Sequence, residues 1–119
     1  MRIAAPLLLL CAAAPLSVAA LARSPVQAER GRAVYVAKCA MCHGRSFEGG
    51  AEDAPALVGA RFEAKWRGRE AALYSKIKLS MPQDDPGILT PAQAADLLTL
   101  LSNANQGRLA APSSKGGMK

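Results

Sequence analysis

Cys39-Ala40-Met41-Cys42-His43 sets two thiols three residues apart with an imidazole directly behind them. A thioredoxin-like redox pair would need a βαβ setting, and no segment of this chain alternates in the manner of a strand. A structural zinc site needs four ligands, whereas the mature chain would offer two cysteines and the one histidine of the sequence. The chemistry left is covalent haem attachment. Two thiols at a helix end can both add to the vinyl groups on one haem edge, and the next residue then brings an imidazole nitrogen against the iron. The spacing predicts one haem c per chain, held by Cys39 and Cys42, with His43 as proximal metal ligand.

The other face of the iron needs a second ligand or stays open. Met41 lies between the attachment cysteines and cannot swing across the ring. Met118 falls in a small, polar, glycine-rich tail, where ordering it would cost entropy. Met81 follows a predicted helix in a loop stiffened by Pro82, which suits a fixed thioether. Met81 is therefore the expected sixth ligand.

The elements that must position these groups are helical. A first helix is expected from Ser24 as cap, with Pro25 in the first turn and Gln27 completing a capping box, running through Tyr35 towards Cys39. Gly31 inside it suggests a close crossing by another helix. Gly44 to Gly59 reads as loop. Short helical pieces follow over Arg61 to Trp66 and Arg69 to Ser80, broken at Gly68 and ended by Met81-Pro82. Thr90, Pro91 and Gln93 mark the start of a last helix with an apolar face through Leu101. Gly107 to Lys119 has no apolar period and reads as a flexible tail.

Ahead of these lies an apolar Leu/Ala run after Arg2, ending in the small-x-small pattern Ala20-Leu21-Ala22. It reads as a signal peptide over 1–22, cleaved on export to the periplasm. Removing 22 residues from 119 leaves 97, split into a haem domain over 23–105 and a tail over 106–119. A chain this small gains from a cofactor at its core. The net charge of +6 suits docking on acidic partner surfaces. Nucleic acid is excluded as a partner by export and by the lack of aromatics among the basic residues.

Taken together, Gly31-Arg-Ala-Val-Tyr35, Cys39-Ala-Met-Cys-His43, Ala54-Pro-Ala-Leu-Val-Gly59, Met81-Pro82 and Asp96-Leu97 resemble a small bacterial class I cytochrome c over Gln27 to Asn105. The resemblance implies an all-α fold of three to five helices wrapped around one covalently bound haem. It implies that the Pro55 carbonyl accepts a hydrogen bond from the proximal histidine ring. It also implies that Gly31 and Tyr35 pack on the last helix, at Leu97 and Leu101. The sequence departs from the family in carrying Leu100 where an aromatic is frequent. Phe62-Glu-Ala-Lys-Trp-Arg-Gly-Arg69 resembles haem domains found with periplasmic dehydrogenases, and Trp66 and Arg69 are candidates to reach a haem propionate, or else a core ring and a solvated charge.

With both axial sites filled, the expected role is one-electron transfer between redox partner proteins. Lys38, Arg61, Lys65, Arg67, Lys76 and Lys78 are candidates for a steering ring around the exposed haem edge. Two rivals remain. A haem enzyme or gas sensor would leave Met81 off the iron, although no second histidine is present to act as acid or base. A bound subunit of a dehydrogenase or oxidase would keep the same chemistry. Size favours a monomer.

Overall fold

The computed structural model describes residues 25–110. The expected signal peptide, the Ser24 cap, Met118 and the tail beyond residue 110 lie outside the described residues.

Pro25, pre-set for helical φ and lacking an N–H that would go unpaired, opens α1 (Pro25–Lys38). A four-residue turn, α2 (Ala40–His43), follows after a kink at Cys39. The loop expected over Gly44 to Gly59 is present, with a 3-10 turn at Ala51–Asp53. Then come α3 (Ala60–Trp66), α4 (Glu70–Ser80) and α5 (Pro91–Ala104). Among the described residues there is no strand, as an all-α class I cytochrome c fold requires.

The signals at the ends of α5 act as read. The Gln93 N–H donates to Thr90 Oγ1 at 3.1 Å, and the Thr90 N–H donates back to Gln93 Oε1 at 2.9 Å. These satisfy two donors that a helix start leaves unpaired. Leu73 and Ile77 turn the inner face of α4 to the core, while Ala94, Leu97 and Leu101 do so for α5.

The packing of α1 on α5 is the main crossing. A Cβ built at Gly31 would run into the Asp96 carbonyl oxygen and stand 3.1 Å from Leu100 Cβ. Gly31 is thus the point where two backbones touch, which accounts for a residue that otherwise costs a helix about 1 kcal/mol. Leu97 and Leu101 are buried as expected, but the atoms facing Gly31 belong to Asp96 and Leu100. Leu100, standing where the resemblance leads one to expect an aromatic, is buried at this crossing.

The flexible-tail reading fails for residues 106–110. Leu109 is fully buried, and its carbonyl accepts from the Gly68 N–H at 2.9 Å. Arg108 Nε donates to Glu63 Oε1 at 2.8 Å, with Arg67 Nη2 at 3.6 Å from the other oxygen. The folded unit therefore continues to at least Ala110. One leucine in a polar run has no period to betray it, so pattern reading misses it.

Candidate haem site

The end of α1 and the turn of α2 bring the attachment thiols together. The Cys39 N–H still donates to Tyr35 O at 2.8 Å, while the Cys42 and His43 N–H groups donate to Cys39 O at 3.2 and 2.9 Å. Cys39 and Cys42 thus sit one helical turn apart on adjoining segments, neither in a disulfide and both half-buried. Burial, and then the neighbouring Cys42, push the Cys39 thiol up to about 11. Gly44 ends the turn at φ 83°, a left-handed conformation natural to glycine.

His43 Nδ1–H donates to the Pro55 carbonyl at 2.9 Å. A carbonyl can only accept, so Nδ1 carries a proton, and Nε2 is the ring nitrogen this bond leaves to face a metal. This is the form an imidazole needs to bind iron, with the orienting bond to a backbone acceptor that such ligands ordinarily make. The donor set therefore fits haem c: two thiols for attachment and one imidazole oriented through its Nδ1. Among the described residues no three His, Cys, Asp or Glu side chains gather as a zinc site would need.

The backbone around His43 is tied at several points. The Tyr35 hydroxyl donates to Gly44 O at 2.6 Å. The Gly49 N–H donates to His43 O at 2.7 Å, and the Gly50 N–H to Ala54 O at 2.9 Å. Phe47, in left-handed backbone at φ 64°, lays its ring 4.6 Å from that of Tyr35 and accepts from the Leu57 N–H at 2.9 Å. Buried Asn105 closes the far end of the loop. It donates to Leu57 O and Leu101 O, both at 2.9 Å, and accepts from the Gly59 N–H at 3.2 Å. Sequence reading missed Phe47, Gly49 and Asn105. The glycine pair Gly49-Gly50 signals a turn but not what the turn braces, and a lone asparagine after a helix reads as a cap.

Met81 leaves α4 in extended backbone, φ −117° and ψ 147°, half-buried and followed by Pro82. It thus belongs to a different element from those holding His43 and Pro55. Trp66 and Arg69 do come together: the guanidinium carbon is 5.7 Å from the indole centroid, with Lys65 Nζ at 5.1 Å. The indole also packs on Phe62, ring centres 6.4 Å apart, so it is at least partly a core residue. Of the candidate steering cations, Lys38, Arg61, Lys65 and Lys76 are exposed and Lys78 is half-buried. Arg67 is engaged otherwise, pairing with Glu63 and donating to Arg108 O at 3.1 Å.

Comparison with known proteins agrees with this geometry. Residues 26–101 match the family model described as cytochrome c oxidase, cbb3-type, subunit III. No curated protein and no solved structure gives a match. With a cysteine turn, an oriented imidazole and a family match over more than half its length, the chain belongs to the family of cytochrome c oxidase, cbb3-type, subunit III, and is a c-type cytochrome.

Proposed function

We propose that this protein is an exported one-electron carrier bearing a single haem c. The observation that carries the reading is the His43 Nδ1–H bond to Pro55 O at 2.9 Å, one residue after Cys42. It supports a proximal ligand already set in its metal-binding form. Bound there, the haem would supply one-electron chemistry, cycling iron between Fe(III) and Fe(II).

The residues of the chain account for the rest. Cys39 and Cys42 hold the group covalently. His43 would hold the iron, with its ring fixed by the bond to Pro55 O. Met81 is the proposed sixth ligand; a thioether there would raise the potential and close the iron to substrates. Trp66 and Arg69 are proposed to meet a propionate through their N–H donors. Partners would be redox proteins with acidic docking surfaces, drawn by the exposed cations Lys38, Arg61, Lys65 and Lys76. The apolar run ending at Ala22 supports export to the periplasm.

A second reading, favoured by the description of the matching family, makes the chain a standing subunit of an oxidase complex. Co-purification with other subunits from a membrane extract would support it.

The decisive experiment is the absorption spectrum of the mature protein oxidised, reduced, and reduced under carbon monoxide. A far-red methionine–ferric band and no change under the gas are expected. Ready binding of carbon monoxide, with no such band, would instead point to an open distal site and an enzyme or sensor.

A further inference from the structure

Two adjacent glycines follow the cysteine turn, and their surroundings differ. Both take left-handed backbone, φ 73° at Gly49 and 108° at Gly50. A Cβ at Gly50 would find nothing within 4 Å, whereas one at Gly49 would lie 2.6 Å from Ala54 O, from Pro55 C and from Ala56 N. Gly49 is therefore seated on the two peptide planes flanking Pro55, one of which carries the carbonyl that accepts from His43. On its other side the Gly49 N–H donates to His43 O at 2.7 Å. One residue thus bridges the backbone of the histidine and the backbone of its acceptor.

We propose that Gly49 is a positioning residue for His43: its missing side chain lets the Pro55–Ala56 peptide close on the imidazole, and so sets the Nδ1–H···O bond and the donor strength of Nε2. The proposal rests on the haem reading above and deepens it. A short bond draws the Nδ1 proton towards the carbonyl, makes Nε2 the stronger donor and favours ferric iron. A side chain at Gly49 would push the peptide away, lengthen the bond and favour ferrous iron.

The test compares the holoprotein with its Gly49→Ala and Gly50→Ala variants, which share the left-handed backbone penalty but not the collision. Gly49→Ala should raise the ferrous-to-ferric ratio at fixed poise roughly tenfold, equivalent to a rise of about 59 mV for a one-electron couple. The His43 Nδ1–H resonance should move upfield in the same variant. Gly50→Ala should change neither. An unmoved potential in Gly49→Ala, or equal shifts in both variants, would overturn the proposal. Should Gly49→Ala fail to fold, hydrogen exchange in the unaltered holoprotein decides. The His43 ring proton should exchange with the Gly49 and Gly50 amides as one unit, and exchange independent of them sinks the idea. Failure of the haem reading is separately visible, because the unaltered protein would then carry no haem c spectrum before any variant is made, and both readings would fall.

Discussion

Arg30 and Asp96 meet across the crossing of α1 and α5 in a two-pronged ion pair, Nε to Oδ2 at 3.1 Å and Nη2 to Oδ1 at 3.2 Å. The hydrogen bond to Asp96, and then its charge, raise the Arg30 pKa above its ordinary value. The pair is lopsided: the Asp96 side chain is 9% exposed and that of Arg30 59%. It stands beside Gly31, where the two backbones touch, so the charge pair and the glycine mark one contact. Breaking the pair from the arginine side leaves a mostly buried carboxylate short of donors, whereas breaking it from the aspartate side leaves a cation that water can reach. Arg30→Met should therefore lower the urea midpoint more than Asp96→Asn does, and equal losses would refute this ordering.

Gly31→Ala should destabilise the holoprotein by about 1–3 kcal/mol, the usual cost of overpacking a close contact. Alanine is the better helix former by about 1 kcal/mol, so helix propensity alone predicts the opposite sign. Denaturant unfolding of the two proteins separates the effects, and a stabilised variant would mean that the crossing gives way.

Stability should fall at high pH through Tyr35. Burial pushes its hydroxyl from 10.0 up to about 12, so the fold prefers the neutral form. The resulting stabilisation is complete below pH 10, where folded and unfolded chains are both protonated at this site. It is lost as pH rises through about 12. Tyr35→Phe should lack this component of the alkaline loss while costing about 1 kcal/mol at neutral pH for the missing bond to Gly44 O. Parallel unfolding curves for the two proteins across the alkaline range would exclude the assignment.

Ending the chain after Asn105 should cost about 2–4 kcal/mol, through exposure of the Leu109 site and loss of Arg108 from Glu63. Ending it after Ala110 keeps both contacts. Thermal or denaturant unfolding of the two truncations is the check, and equal stabilities would return residues 106–110 to the status of a loose tail.

Met81→Ala should abolish the far-red band, lower the potential and admit carbon monoxide. Met41→Ala should leave the spectrum unchanged, because Met41 is 90% exposed. Unaltered ligation in Met81→Ala would require another sixth ligand.

What the residues determined alone was whatever depends on near neighbours in the chain. The thiol spacing, the imidazole after it, the capping box at Thr90 and Gln93 and the stop at Met81-Pro82 all act within about one turn, so their meaning is legible in order. Gly31 marked a close crossing because a glycine inside a helix needs a reason, and the Pro55 acceptor was legible only by resemblance. Tertiary structure decided the rest. It chose Asp96 and Leu100 as the surface Gly31 meets, drew Arg108 to Glu63, buried Leu109, and put Gly49 between His43 and Pro55. Each of these joins segments that loops and helices separate, and a side chain's distant partner is set by how helices cross and not by its position in the chain.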